Sequence, residues 1–522
     1  MLKRQLAILL LATIMFLLIH KKITTSLLLL FMGVQVATTI ESAKAQTRVV
    51  PTETTTKSIC PAQLSAAIDA VTNRPQFSRM RWGILVQNLF ATKQLLQAEE
   101  PQPTASQTLY NRDAQKYFTP ASTTKLLTTA VALQQLGANF RFRTSIHSNG
   151  DGIVRVVGRG DPSLNDAQLT NLAQQLTQKG IQKVKLLIAD DSYIQGEIVH
   201  PSWQWEDIQS DYGAPINSLI LNQNVFSLRL LPQTVGKPLQ VTWDDIQETR
   251  QWRVVNQSVT IEENQPKLIN ITRDLSQPIL RIHAQLAVNS QPEIVSLPVV
   301  APAEYFLRHM REALLLAKIP VTQTFVSTNA TTRNEQEIAA VESPPLWELL
   351  AQTNINSNNL YAEALLRAIA IKKPLLHNQT TADAGLEVMK ATLTQLGVEP
   401  TGYFLVDGSG LSRKNLISPE ALVQILGAMA RSPQAPFFRA SLPVAGKSGT
   451  LKNRLIGTPA EGIVQAKTGT MSGVVTLAGY VNSPKYTPLV FSIMVNQSDQ
   501  SASVVRQAID EIVVLLSQLQ RC

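Results

Sequence analysis

The sequence predicts an α+β fold, a helix-and-sheet domain interrupted by a long, more β-rich insertion. Three observations predict it. Amphipathic helical patterns run over Phe118–Leu136 and again from Pro302 to Leu396. Between about 225 and 300, strand-like segments dominate: Phe226–Leu230, Leu239–Trp243 and Leu280–Ala284, separated by turn residues. The end is strand-rich, Ile463–Val481 and Leu489–Val495, before a closing helix over Ser503–Leu519. A chain of 522 residues that is 44% hydrophobic and 16% charged has apolar material for more than one core, which excludes a disordered or collagen-like protein. Two cysteines exclude a cysteine-rich scaffold, a zinc ribbon and an iron–sulfur protein.

The first 45 residues are expected to be an export signal outside the fold. Leu6–Ile19 and Leu27–Val36 are apolar runs, Lys21 and Lys22 form a basic flank between them, and Ala43-Lys44-Ala45 has the small-x-small form of a signal-peptidase site. The second run alone makes a complete signal, so translation is expected to begin at Met15. The alternative is a membrane anchor, an uncleaved segment that would leave the protein loosely membrane-associated, but neither run reaches the roughly 18–20 residues of a spanning helix. Removing 1–45 takes away five cations and one acid, so the net charge falls from +9 to about +5. No cluster of Lys or Arg with interleaved aromatics remains, which argues against a nucleic-acid partner. Export permits disulfides. Cys60 lies near the mature start and Cys522 is the last residue, so the two can bridge if the first and last helices pack together.

The remaining elements follow in order. Residues 46–57 are threonine-rich, Pro61–Val71 fits a short helix, Trp82–Gln87 a strand and 91–114 a polar loop. Within the expected insertion, 141–300, Phe142–His147, Ile153–Val157 and Val184–Ile188 read as strands, and Asp166–Gln178 as an amphipathic helix closed by Gly180. The expected catalytic parts are 46–140 and 301–522, the latter with helical patterns at Pro302–Ala317, Leu346–Leu350, Leu360–Ile371 and Ala382–Leu396.

Several chemistries are excluded first. His20, His147, His200, His283, His309 and His377 have no partner at i+3 or i+4, so no metal site is predicted. Gly446-Lys447-Ser448 resembles the end of a phosphate loop, but Ser441 stands where the first glycine is needed. Ser409 has Asp407 where a hydrolase elbow needs glycine.

The informative segment is Pro120-Ala-Ser122-Thr-Thr-Lys125 at the head of the Phe118–Leu136 pattern. Thr119 can cap this helix and Pro120 suits its first position. Ser122 then lies in the first turn, where its N–H lacks an intrahelical acceptor and can serve an oxyanion. Lys125 sits one turn on, on the same face, and a desolvated lysine can act as the base for that serine. Ser122 is the only serine followed by lysine at i+3. Ser163-x-Asn165 and Ser327-x-Asn329 fall in polar turns, whereas Ser357-Asn-Asn359 opens a helical run, which places a hydroxyl and a carboxamide at a rigid entrance. Finally, Lys467-Thr468-Gly469-Thr470 lies on a predicted strand. There Lys467 presents a cation at the cleft edge, Gly469 lets a substrate backbone approach, and Thr470 supplies a second oxyanion N–H. Lys447-Ser448-Gly449-Thr450 is a rival copy that lacks strand alternation after it.

S-x-x-K, S-x-N and K-T-G in this order resemble the penicillin-recognising serine enzymes. Tyr212-Gly-Ala-Pro-Ile, Leu221-Asn-Gln-Asn, Asp407-Gly-Ser-Gly-Leu-Ser-Arg and Leu442-Pro-Val-Ala-Gly narrow the resemblance to the class C low-molecular-mass penicillin-binding proteins, D-alanyl-D-alanine carboxypeptidases of the DacB type that are often also endopeptidases. It covers about residues 60–520. The 235 residues between Ser122 and Ser357 suit that family, which carries large insertions there. One departure is Lys447-Ser448, where the family more often has an acidic residue before Gly-Thr.

The resemblance implies a transpeptidase-type domain, an antiparallel sheet flanked by helices, acting on peptidoglycan stem peptides. Ser122 attacks the D-Ala–D-Ala carbonyl, Lys125 takes its proton, Ser357 protonates the leaving D-alanine and Asn359 holds the peptide. Lys467 and Thr468 bind the terminal carboxylate, with Ser122 and Thr470 N–H groups as the oxyanion hole. β-Lactams would acylate Ser122. No cofactor and no obligate protein partner are implied. A serine β-lactamase is the alternative within enzymes, disfavoured by its smaller usual size; a catalytically silent peptidoglycan-binding homologue is disfavoured by the complete set of motif residues.

Overall fold

A computed structural model describes residues 58–89, 108–274, 276–329, 335–370 and 375–522; the expected export signal, residues 46–57 and 91–107 lie outside the described residues. Helix α1 (Pro61–Thr72) is followed by β1 (Arg81–Asn88) and β2 (Thr108–Arg112), which pair antiparallel. β2 falls in the stretch read as loop because it is a polar edge strand in which only Tyr110 is buried.

The helix expected over Phe118–Leu136 begins late. Phe118 bridges to Ile417, and the Asn496 carboxamide pairs with both the N–H and the C=O of Thr119, so Thr119 caps nothing. Ala121 has φ 48°, which no helix continues through. A 3₁₀ turn over Ala121–Thr124 then leads into α2 (Lys125–Leu136), ended by Gly137 at φ 82°.

The insertion comprises β3 (Arg143–Ser148), β4 (Ile153–Val157), α3 (Asp166–Gln178), β5 (Val184–Asp190), β6 (Val225–Leu231), β7 (Gln240–Trp243), β8 (Arg253–Asn256), β9 (Val259–Ile261), β10 (Leu268–Arg273), β11 (Ile279–Ala287) and β12 (Glu293–Pro298). It continues through α4 (Pro302–Leu316), β13 (Val321–Ser327) and β14 (Gln336–Glu342). The expected boundary at 300 is therefore too early. β13 and β14 form the two edges of the sheet β13-β5-β4-β3-β14, and Tyr305, Phe306 and Met310 of α4 share one apolar core with Leu169, Leu172 and Leu176 of α3. Helical pattern alone cannot say which sheet a helix covers. The strand-rich middle forms two small sheets, β12-β6-β7 and β10-β11-β8 with β9 beside β11.

The chain then supplies α5 (Leu346–Asn354), α6 (Asn359–Ala370), α7 (Thr381–Gln395), the short pair β15 (Tyr403–Phe404) and β16 (Leu416–Ile417), α8 (Pro419–Arg431), α9 (Ala435–Ala440), β17 (Val464–Met471), β18 (Val474–Val481), β19 (Leu489–Asn496) and α10 (Ala502–Ser517). The antiparallel sheet runs β17-β18-β19-β1-β2. Period-two alternation gives it two apolar faces. Leu85, Tyr480, Val490 and Met494 join the core of α2, α5, α6 and α8, while Trp82, Ile84, Leu477 and Ile493 join that of α1 and α10. Cys60 and Cys522 are joined by a disulfide with Cα atoms 5.8 Å apart, beside a bridge between Ile59 and Leu519. Among the described residues no helix is long and apolar enough to cross a membrane.

Candidate active site

The turn that carries Ser122 is held from every side. Thr123 and Thr476 hydroxyls both donate to the Pro120 carbonyl, at 2.7 and 2.9 Å, and Thr124 donates to that of Ala121 at 2.9 Å. Gly410 lies so close to the Ala121 carbonyl that a side chain there would collide with it. Ala121 and Ser357, at φ 48° and 59°, are both non-glycine residues in the left-handed region, a strain of roughly 1–3 kcal/mol each that the surrounding contacts must offset.

Lys125 has no exposed surface. Its Nζ lies 2.9 Å from Ser122 Oγ, 2.6 Å from Asn359 Oδ1 and 2.7 Å from the Ser409 carbonyl. The Asn359 amide orientation is fixed because Nδ2 donates to the Tyr212 carbonyl at 2.9 Å. Two of the three partners are therefore pure acceptors. They take both N–H bonds of a neutral amine and leave its lone pair facing the Ser122 hydroxyl. Burial pushes this amine down to about 7, against the charges of Asp407 and Glu363, which pull upward.

Ser357 stands before α6, and its neighbour Asn358 accepts from the Tyr361 amide, an N-cap interaction that fixes the helix entrance. Lys467 differs from its expected placement. It is fully buried rather than at the cleft edge, and its Nζ donates to Ser357 Oγ at 2.8 Å and to the Thr468 carbonyl at 3.0 Å. Burial, then the charge of Lys125, pushes it well below the usual lysine range. Gly469 is also required for another reason than the one expected. A side chain there would meet Thr476, the Pro120 carbonyl and Ala121, so the glycine admits the turn that carries Ser122.

The rival Lys447-Ser448-Gly449-Thr450 forms no strand. Gly449 begins a 3₁₀ turn packed against the Ile355 carbonyl, the Thr450 amide donates to that carbonyl at 3.3 Å, and Thr468 Oγ1 donates to Thr450 Oγ1 at 2.8 Å. This loop ties the Ser357 entrance to the Lys467 strand. Lys447 itself pairs at the surface with Glu461.

A cleft of about 730 Å³ is lined by Ser122, Ser357, Asn359 and Thr470, and by Tyr212, Asp207 and Arg413. The segment Trp203–Gln223 within the insertion forms part of its wall. Trp203 Nε1 donates to Asp407, Gln204 accepts from Arg413, the Tyr212 carbonyl accepts from Asn359, and Gln223 accepts from Asn358. Sequence reasoning gave no role to Glu363, Arg367 or Asp407, all buried; the charges of Glu363 and Asp407 act on Lys125, and Arg367 pairs with Glu363. The Asn359, Glu363, Arg367 spacing of four was the available signal, since it puts all three on one helix face.

A model of the D-Ala-D-Ala carboxypeptidase 3 (S13) family matches residues 64–519. The penicillin-sensitive carboxypeptidase A of Dictyostelium discoideum is 32% identical over 435 residues, 77% of this chain and 82% of that protein. The D-alanyl-D-alanine carboxypeptidase of Actinomadura sp. (strain R39) is 33% identical over 433 residues, 78% and 79% of the two chains. Penicillin binding protein 4 (dacB) from Haemophilus influenzae superposes with a TM-score of 0.72 at 23% identity, over 86% of this chain and 98% of that one, a likeness of fold. A second structure of that protein holds a β-lactam; the TM-score is 0.68 and the identity 24%, over 86% and 98% of the two chains.

Proposed function

The chain belongs to the D-Ala-D-Ala carboxypeptidase 3 (S13) family, and from that membership we propose that it removes the terminal D-alanine of peptidoglycan stem peptides through an acyl-enzyme on Ser122. The observation that carries this reading is Lys125 Nζ, buried 2.9 Å from Ser122 Oγ with its other two hydrogen bonds directed to acceptors. Ser122 Oγ attacks the carbonyl carbon of the D-Ala–D-Ala bond as its proton passes to Lys125. The negative carbonyl oxygen rests against the Ser122 and Thr470 N–H groups, a contribution of roughly 3–4 kcal/mol per donor. The C–N bond then breaks, and the amine of the departing D-alanine takes a proton through Ser357, which Lys467 supports from behind. Water attacks the ester, releasing the shortened peptide and Ser122.

Asn359 holds the peptide, and Thr468 with Lys467 favours the free terminal carboxylate. A cross-link whose scissile carbonyl is also D-alanyl offers Ser122 the same centre, so endopeptidase activity belongs to this reading. Penicillin would acylate Ser122 and stall. The Cys60–Cys522 disulfide suits an oxidising compartment, which supports export to the periplasm.

The test is incubation with a fluorescent penicillin, location of the adduct by peptide mass, and assay of D-alanine release from a pentapeptide. Label on the Ser122 peptide, absent in Ser122→Ala, is expected. Label that survives Ser122→Ala overturns the mechanism.

A further inference from the structure

Behind Lys125 lies a buried network that the reaction as described does not use. Asn359, Glu363 and Arg367 stand at i, i+4 and i+8 on α6, one above the other. Asn359 touches Lys125 directly. Glu363, one turn along, accepts from the amides of Gly408 and Ser409 with the same oxygen, Oε1, at 2.9 and 2.8 Å. Its other oxygen pairs with Arg367 Nη1 at 2.9 Å. The residue whose amide it holds, Ser409, is the one whose carbonyl faces Lys125 Nζ. A second buried carboxylate, Asp407, closes the same turn. It accepts from the Gly410 and Ser412 amides, from Trp203 Nε1 and from Asn415 Nδ2.

We propose that Glu363 is a positioning residue for Lys125: it aims the Ser409 carbonyl at the amine through two backbone amides and sets a negative charge behind it. This rests on the acyl-enzyme reading above. The turn 407–412 offers Lys125 a backbone carbonyl, whose direction is set by what holds the turn: Asp407 from within it, and Glu363 from α6. Glu363 does so by gripping two successive amides from the helix that also carries Asn359. Both acceptors that fix the amine are thereby referred to one rigid element, α6.

The charge has a defined sign. Lys125 is faced by Glu363 from α6, by Asp407 from the turn, by Lys467 from β17 and by the neutral Ser122 and Asn359; Arg367 partly offsets Glu363. The carboxylates favour the ammonium and burial favours the amine. Four N–H donors around Asp407 favour its ionised form, although burial beside Glu363 pushes its pKa up. Since the reaction needs the amine, acylation rises as pH rises through the Lys125 pKa. Removing the charge of Glu363 lowers that pKa and must move the rise to lower pH.

The experiment measures the rate of Ser122 labelling by a fluorescent penicillin against pH, on the full chain. Glu363→Gln keeps an oxygen for the two amides and removes the charge; its midpoint is expected to fall by about one unit. Glu363→Asp keeps the charge but withdraws the anchor by one methylene; it is expected to slow labelling about tenfold with the midpoint unmoved. Arg367→Gln unmasks the Glu363 charge and is expected to raise the midpoint, which keeps the idea testable if Glu363→Gln does not fold. A folded Glu363→Gln or Arg367→Gln protein with the wild-type midpoint, or a Glu363→Asp protein labelled at the wild-type rate, overturns the proposal. If the wild-type chain is not labelled at Ser122, it is the acyl-enzyme reading that fails.

Discussion

On one face of the five-stranded sheet, Leu85, Tyr480 and Met494 meet the helices α2, α6 and α8, and Lys125, Glu363, Arg367, Asp407 and Lys467 are buried on that side. On the other face, Trp82, Ile84, Leu477 and Ile493 meet α1 and α10, and among the described residues no charged side chain is fully buried there. Its ion pairs, Arg74–Glu511 and Arg454–Asp510, keep some contact with solvent. The chain also closes on this face, through Cys60 and Cys522. The difference teaches where each kind of free energy is placed. Desolvated amines are unfavourable for folding and useful for chemistry, and both Lys125 and Lys467 lie on the first face, beside the left-handed Ala121 and Ser357. The second supplies apolar burial, roughly 1.5–3 kcal/mol for each large side chain such as Ile509 or Leu516.

The largest expected effect removes the chemistry from the first face. Lys125→Met preserves length and removes the proposed base. Penicillin acylation at neutral pH is expected to fall about 10³–10⁴-fold, within the range for loss of a general base. In the wild type the rate should rise as pH rises through about 7, because the amine must lose its proton to act, and that rise should vanish in the variant. Stability should change less, because loss of a desolvated amine offsets two orphaned acceptors, Asn359 Oδ1 and the Ser409 carbonyl. A Lys125→Met protein that acylates normally breaks the assignment of the two faces.

The next effect belongs to the second face. Replacing Cys60 and Cys522 together by serine opens a link between residues 462 apart in sequence. A loss of about 2–5 kcal/mol is expected in denaturant unfolding, with the penicillin acylation rate and its pH midpoint unchanged. If acylation falls in proportion, the two faces are coupled and the comparison fails.

How much of this was legible in the sequence depends on the range of the interaction. Ser122 and Lys125 were readable because i and i+3 share a face whether the turn is α or 3₁₀, so the late start of α2 did no harm. That Ser357 stands at a helix entrance was readable from the helical pattern that follows it. The depth of Lys467 was not readable, because a strand's alternation says which face a residue takes but not what covers that face. Gly469 was marked as special for the wrong neighbour, since its close contacts are with Pro120 and Thr476, and Pro120 lies far away in sequence. The insertion's end was misplaced because β13 and β14 join strands more than 130 residues earlier. Asp407 looked like a failed hydrolase motif, and only its donors from Trp203 and the backbone reveal a turn built to hold Ser409.

The smallest expected effect concerns the loop that the sequence left without a role. Thr450→Val is nearly isosteric and keeps the amide that donates to Ile355, so the loop's brace on Ser357 survives. What it loses is the acceptor for the Thr468 hydroxyl, at 2.8 Å. That hydroxyl then has no fixed direction in the subsite proposed for the terminal carboxylate. One neutral hydrogen bond amounts to about 1 kcal/mol, or roughly fivefold. The expected outcome is a KM for pentapeptide raised about fivefold with kcat within twofold, because the bond orients a binding group and touches no reacting atom. A fall in kcat with KM unchanged would mean that Thr450 acts through the Ser357 entrance instead. The loop would then belong with the strained, charge-bearing face of the sheet as part of the proton relay rather than as a support for carboxylate binding.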